Sequence, residues 1–381
     1  METRIYLHQP FFFKDEIKFL NNCIKTKWVS TGGSYVSKLE KEISKFTKAK
    51  YSVALNSGTT ALDLSLKLFD VKRNDEVIVP SITFVSPVNC VLYQNASPIF
   101  MDCDDNFNID VKKTLDFIKN ETIFNGKNTI NKKTKKIIKA LIVVHVFGNV
   151  VDFSKLISIC KKNKIYIIED ASESLGSFSN KKIHTGLMGD IGCLSFNANK
   201  IITTGAGGMI LTNKKNIALR AKYLSTQAKD DSFYFIHNNI GYNSRLNNVN
   251  AAIGCGQLKY IKNILLKKKK IHDQYKKRIA KLNNFQLIST KNSNNENHWL
   301  NVILFSKNVD REKLISTFKK NKVEIRPVWF PNHLQNKMKK FQKYKITKIG
   351  KIVNNALCLP SGYDLNLRKI KKIVSILKNY E

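Results

Sequence analysis

The sequence predicts an α/β protein: a mixed, mainly parallel sheet flanked by helices, with a smaller α+β unit at its C-terminal end. Three observations carry that expectation. Short apolar runs alternate with amphipathic stretches through the first two-thirds of the chain, which is the rhythm of parallel strands joined by crossover helices. Residues able to bind a ligand, at positions 57–59, 84, 145 and 170, fall at or just past the carboxyl ends of those runs, the edge where open α/β sheets take their ligands. A long basic helix expected near 256–281 then leads into strands and helices in a different order. At 381 residues the chain is long enough for two units. They are expected over 1–255, an arm and the large unit, and over 256–381, the small one.

Taken in order, residues 1–35 read as an arm and one helix, whose apolar positions are Ile17, Leu20 and Ile24, ended by Trp28 and the glycines Gly32 and Gly33. A second amphipathic helix carries Val36, Leu39, Ile43 and Phe46 at helical spacing. The run 51–55 is a strand. It enters Asn56-Ser57-Gly58-Thr59-Thr60-Ala61-Leu62 and then a helix through Leu64, Leu66 and Leu68. A strand, a turn of small residues and a helix N-terminus make a phosphate cradle, because free N–H groups and the helix dipole both face an anion there. The same Ser57 or Thr59 could equally serve as a plain N-cap.

The run 76–80 is a buried strand. Beyond it Phe84 could stack on a planar ligand or pack in the core, and Ser86-Pro87 opens a helix. Strands follow at 98–102 and 136–144, with the polar stretch 120–135 between them read as a loop or insertion. After a helix over 153–162, the run Ile165-Tyr166-Ile167-Ile168 ends in Glu169-Asp170-Ala171. The stretch 193–208 places Lys200 between an apolar run and Gly205-Ala206-Gly207-Gly208, which turns into the strand 209–212. Beyond the long basic helix, strands are expected near 298–304 and 323–326, and helices near 310–319 and 367–379.

Composition narrows the function classes. No run reaches the roughly 18 apolar residues of a membrane span, and the first residues lack a signal peptide's apolar stretch, so a soluble cytoplasmic protein is expected. The seven cysteines are scattered and never spaced as Cys-x-x-Cys, which suggests neither a disulfide framework nor a zinc site. The net charge of +36 invites a nucleic-acid reading. Yet the lysines recur along the whole length, as at 132–136, 267–270 and 337–340, and no nucleic-acid-binding motif accompanies them. That charge would help draw in an anionic substrate.

Lys200 and Asp170 together suggest a chemistry. A lysine in a partly apolar site can lose its proton and attack an aldehyde. A carboxylate at the end of a buried strand can hold a pyridinium nitrogen, the arrangement that makes pyridoxal phosphate an electron sink. On composition alone Lys200 would be one surface lysine among many.

With these residues in order, the chain resembles the sugar aminotransferases of the DegT/DnrJ/EryC1/StrS type, pyridoxal-phosphate enzymes of fold type I. The resemblance runs from Tyr6 to Leu377. It rests on Trp28 with its glycines, the Asn56–Leu62 stretch, Thr83-Phe84, Glu169-Asp170-Ala171, Ser195-Phe196 with Lys200, and Gly205-Ala206-Gly207-Gly208. It continues through Gly241-Tyr242-Asn243-Ser244-Arg245, Arg326-Pro327-Val328-Trp329 and Leu359-Pro360-Ser361.

The resemblance implies that Lys200 forms the Schiff base with the cofactor and later shuttles the proton, while Asp170 pairs with the pyridinium nitrogen. Ser57, Gly58, Thr59 and Ser195 would bind the phosphate, with Asn243 reaching in from the other subunit of a homodimer. Phe84 would cover the cofactor ring. Trp28, Arg245 and His333 would lie near the donor carboxylate or the nucleotide-sugar. Glu173 stands where many members carry glutamine or histidine against the oxygen of the cofactor ring, and marks a subgroup with 4-keto-sugar substrates. Members with histidine in place of the lysine are 3-dehydratases, which Lys200 argues against.

The segments 225–231 and 236–238 look most like enzymes of legionaminic-acid and bacillosamine-like pathways. Those aminate C4 of a UDP-linked 4-keto-6-deoxy-N-acetylhexosamine with L-glutamate as donor, for bacterial surface glycans. The perosamine branch, acting on GDP-4-keto-6-deoxymannose, stays open. So do a cofactor-free nucleic-acid binder and a cofactor-bound regulatory protein.

Overall fold

The computed structural model describes residues 4–290 and 293–381. Its strands are β1 (Tyr51–Leu55), β2 (Asp75–Pro80), β3 (Ser97–Met101), β4 (Thr122–Phe124), β5 (Thr129–Asn131), β6 (Ile137–Val144), β7 (Tyr166–Asp170), β8 (Ile191–Ser195), β9 (Gly208–Thr212), β10 (Phe285–Leu287), β11 (Asn301–Phe305), β12 (Arg326–Pro327), β13 (Lys343–Tyr344) and β14 (Ala356–Leu359). The helices are α1 (Lys14–Thr26), α2 (Ser34–Thr47), α3 (Gly58–Leu68), α4 (Ser86–Tyr93), α5 (Val111–Asn120), α6 (Ser154–Lys162), α7 (Lys215–Ser225), α8 (Asn248–Lys259), α9 (Ile261–Ile279), α10 (Arg311–Lys320), α11 (Ile349–Ile352) and α12 (Leu367–Lys378). No helix among the described residues is long and apolar enough to cross a membrane.

The large sheet runs β1-β9-β8-β7-β6-β2-β3-β13. From β8 to β13 every pairing is parallel. β9 is antiparallel to both β8 and β1. Two reversals cancel, so β1 runs the same way as β8. The carboxyl ends of β1, β2, β6, β7 and β8 therefore share one edge, which brings residues far apart in sequence to one site. Being buried on both faces, the parallel strands read as near-continuous apolar runs. β6 gives Ala140, Ile142 and Val144 to one core and Leu141 and Val143 to the other, the period-2 alternation of a strand. A separate antiparallel sheet, β10-β11-β14-β12, packs its apolar face on α9, α10 and α12 through residues such as Ile303, Leu357, Tyr275, Phe318 and Ile373.

Four expectations change. The stretch 120–135 is a hairpin, β4 and β5, tied to β6 through Ile130 and Ile137. Its strands are three residues each, too short to show an alternation, and it turns at Gly126 with φ +88°. The long basic helix is two helices, broken at Tyr260, and residues 255 and 256 lie inside the first of them. α1 buries Glu16, Phe19 and Cys23, whereas Ile17 and Ile24 are 62% and 66% exposed. Buried Glu16 is stabilised there by Gln257 and by the Phe13 amide, so the polar residue faces in and the isoleucines face out. Finally, β13 leaves the C-terminal region to extend the large sheet beside β3.

Candidate active site

The carboxyl edge of the large sheet opens into a cavity of about 340 Å³. Ser57, Gly58, Thr59, Phe84, Asp170, Glu173, Ser195 and Lys200 all line it.

The first wall is the N-terminus of α3. Ser57 is its N-cap, its Oγ accepting from the Thr60 amide at 3.0 Å. The capping reading of Ser57 therefore holds, and it leaves the first-turn amides of Gly58 and Thr59 as donors beside the cavity. The Thr59 hydroxyl is shared with Ser86 Oγ at 2.9 Å. Two glycines allow this cradle to close. A Cβ on Gly58 would stand 2.8 Å from Ser195 Cβ, and one on Gly208 would stand 2.3 Å from the Ser57 main chain.

The second wall comes from the ends of β7 and β8. Asp170 is buried, and its Oδ1 accepts from the Ser172 amide at 3.0 Å. Burial raises its carboxyl above the ordinary range, while Ser172, Lys200 and His145 pull the other way. A cation placed against it would restore the charged form. Glu173 follows in the next turn and accepts from the Phe147 amide at 2.9 Å. Burial pushes its carboxyl up to about 7, against the pull of Lys200 and that amide.

Lys200 sits in a turn after β8, its amide bonded to the Asn197 carbonyl. Its Nζ lies 3.3 Å from Glu173 Oε1 and 4.1 Å from the centre of the Trp299 ring. Phe84 lies at the mouth, more than half exposed. Thr83, another lining residue, is buried, and its Oγ1 has no partner among the described residues.

These features fit pyridoxal phosphate. The amide cradle suits a phosphate, Phe84 offers a ring face, Asp170 can meet a pyridinium nitrogen and Lys200 supplies the amine. An unpartnered hydroxyl at Thr83 leaves hydrogen-bonding capacity for a ligand.

Four predicted site residues do not line the cavity. Trp28 and Asn243 are exposed on this chain. Arg245 is buried elsewhere: it donates to Glu40 Oε1 and to the Ala54 carbonyl, both at 2.8 Å, and so ties α2 to β1. His333 is buried against Phe100, with Nδ1 lacking a partner among the described residues. His145, read as a strand-end ligand, is also buried and bonds Glu169 at 2.9 Å. Trp299 is one of the lining residues, with Ser172, Asn197 and Asn199, that sequence reasoning missed. It lies almost 100 positions from Lys200, in a stretch that reads only as the start of a strand. Ser172 had no signal beyond its nearness to Asp170.

Residues 12–378 match the profile of the DegT/DnrJ/EryC1/StrS aminotransferase family. The chain is similar to the GDP-perosamine synthase of Escherichia coli O157:H7, 32% identical over 90% of this chain and 90% of the relative. It is 28% identical to the UDP-4-amino-4,6-dideoxy-N-acetyl-beta-L-altrosamine transaminase of Campylobacter jejuni, over 98% of this chain and 96% of that one. Its fold matches the Helicobacter pylori aminotransferase involved in the biosynthesis of pseudoaminic acid, with TM-score 0.88 at 24% identity over 99% of both chains.

Proposed function

The chain belongs to the DegT/DnrJ/EryC1/StrS aminotransferase family, and from that premise we propose that it moves the amino group of L-glutamate to C4 of a UDP-linked 4-keto-6-deoxy-N-acetylhexosamine. Aminotransferases of this family depend on pyridoxal phosphate. The observation that carries the reading is the meeting of Lys200 Nζ, Glu173 and Asp170 in one cavity with the N-terminus of α3.

In this reading the amides of Gly58 and Thr59, with the hydroxyls of Ser57, Thr59 and Ser195, hold the cofactor phosphate. Phe84 covers the ring, Asp170 holds the proton on the ring nitrogen, and Lys200 is the covalent anchor. When bound, the cofactor supplies an electron sink for the carbon that loses its proton. Lys200 Nζ takes that proton and returns it to the neighbouring carbon, which requires the amine to be free and close. Burial raises the Glu173 carboxyl to about 7, so near neutral pH it exchanges between a form that only accepts hydrogen bonds and one that can also donate. Asp170 is oriented for its task by Ser172.

A homodimer with shared sites goes with this reading. The exposed Ile17, Ile24 and Trp28 offer an apolar face, and Asn243 would reach the partner's phosphate. A second substrate, GDP-4-keto-6-deoxymannose, is favoured by the 32% identity to a GDP-perosamine synthase.

The test is incubation of the purified protein with glutamate alone, then with UDP- and GDP-linked keto-sugars side by side. The visible band of the bound cofactor should bleach with release of 2-oxoglutarate, and one keto-sugar should restore it. A protein that never takes up the cofactor would sink the proposal.

A further inference from the structure

Lys200 and Glu173 lie in turns that follow β8 and β7 of the large sheet, yet both are held by a segment that leads into β11. Asn297 Nδ2 donates to the carbonyls of Glu173, at 2.8 Å, and Leu175, at 3.0 Å. Asn297 Oδ1 accepts from the Trp299 amide at 2.9 Å. The Trp299 indole Nε1 donates to the Asn199 carbonyl at 2.6 Å, one residue before Lys200. Its ring face meets Lys200 Nζ. The Trp299 carbonyl is taken by Lys268 Nζ at 2.7 Å, a fully buried lysine that also donates to the Ser361 carbonyl. Every polar group of Trp299 is thus committed, and its ring, a wall of the cavity, meets Lys200 with its π face.

A ring face attracts a cation through its quadrupole, and more strongly when both are desolvated. Trp299 is 3% exposed and the Lys200 side chain 13%. We propose that Trp299 is a positioning residue for Lys200. Its ring holds the Nζ as a cation in a fixed station beside Glu173 whenever that nitrogen is not bonded to the cofactor, and its N–H fixes the Asn199 carbonyl. The inference rests on the reading of Lys200 as the cofactor's lysine. In each half-reaction the amine leaves that bond and must come back to it. A station 3.3 Å from Glu173 Oε1 keeps it in the cavity and off other partners.

The experiment reads the free amine directly, in cofactor-free protein. Lys200 is acylated with acetic anhydride at graded pH, and the peptide carrying it is quantified by mass spectrometry against exposed lysines. Trp299→Leu keeps an apolar wall without a π face. It should raise the rate of Lys200 acylation at pH 8 by about 3- to 30-fold, the value of a partly to fully desolvated cation–π contact. Trp299→Phe, which keeps a face but no N–H, should fall much closer to the parent. Glu173, Asp170 and His8 are titratable groups on which the Lys200 charge acts, and neither variant removes any of them.

Equal acylation in all three proteins overturns the proposal. So does an equal rise in both variants, since that would assign the effect to the lost N–H. Should Trp299→Leu not fold, fluorinated tryptophans incorporated biosynthetically weaken the quadrupole at almost unchanged shape. Acylation of Lys200 should then climb stepwise with fluorine number, and a flat series rejects the ring's role. If the wild-type protein never binds the cofactor, the aminotransferase reading fails while this series still reports on the ring. If the cofactor binds and the series is flat, only this inference fails.

Discussion

Glu173→Gln tests the electrostatics of the site without touching its shape. The Glu173 carboxyl is raised from its ordinary 4.5 to about 7, chiefly by burial. Between those values the folded protein keeps a proton that the unfolded chain has released. The group's contribution to stability is therefore complete below about pH 4.5 and is lost as pH rises through about 7. Each unit of displacement corresponds to about 1.4 kcal/mol, so most of the change between pH 5 and pH 8 amounts to roughly 2–3 kcal/mol. Glutamine cannot titrate and is free of this loss. Any fixed cost of its amide beside Lys200 or the Phe147 amide is the same at both pH values and cancels. The assay is urea denaturation of cofactor-free wild type and variant at pH 5 and pH 8, at one protein concentration because assembly would shift the midpoints. Relative to wild type, the variant should gain roughly 2–3 kcal/mol on going to pH 8. A difference that is equal at the two pH values refutes the reasoning, because Glu173 would then titrate alike in the folded and unfolded chain.

Three further outcomes are expected. Lys200→Ala should abolish the cofactor's visible band and slow transfer from glutamate by about 10²- to 10⁴-fold, the usual worth of a positioned acid–base group; absorbance and a 2-oxoglutarate assay check both. Gly58→Ala puts a methyl 2.8 Å from Ser195 Cβ, so it should cost about 1–3 kcal/mol by overpacking and weaken cofactor binding in a fluorescence titration, and unchanged affinity would count against the cradle. Burial pushes the Lys268 amine down to about 7 from 10.5. Its folded form has given up a proton that the unfolded chain keeps between those values, so its penalty is full below pH 7 and fades toward pH 10.5. Wild type should therefore gain stability relative to Lys268→Met between pH 6 and pH 9, as read from denaturant midpoints, and a constant difference would mean that Lys268 titrates normally in the fold.

The residues legible in the sequence are those whose position follows from a strand end. Ser57, Phe84, Asp170 and Ser195 each stand at or just past a buried apolar run, and parallel pairing puts such ends on one edge whatever the details of packing. Lys200 and Glu173 could be placed because they follow those ends closely. Positions that depend on packing were not legible. Arg245 sits in a stretch that reads as polar loop, yet the fold spends it on Glu40 and Ala54. In α1 the eye follows Ile17 and Ile24, while the buried face is set by a buried glutamate with its own donors. Lys268 stands in a run of four lysines with nothing to mark it, but the helix phase turns it toward the carbonyls of Trp299 and Ser361.

Trp299 and Lys268 also say something about how the site is stabilised. A buried ammonium beside a buried carboxyl loses more hydration than their mutual attraction returns unless other groups hold both in place. Main-chain bonds alone do not do so here. Asn297 grips the turn that carries Glu173, Trp299 grips the turn that carries Lys200, and Lys268 fixes Trp299 from behind. All three belong to the chain beyond residue 260, whereas the pair they hold lies in turns off the ends of β7 and β8. The geometry of the reacting groups therefore depends on the docking of the 296–299 segment against that sheet. Any ligand that binds only the assembled site must stabilise that docking by mass action, so cofactor binding and the protection of the Trp299 amide from hydrogen exchange should rise together.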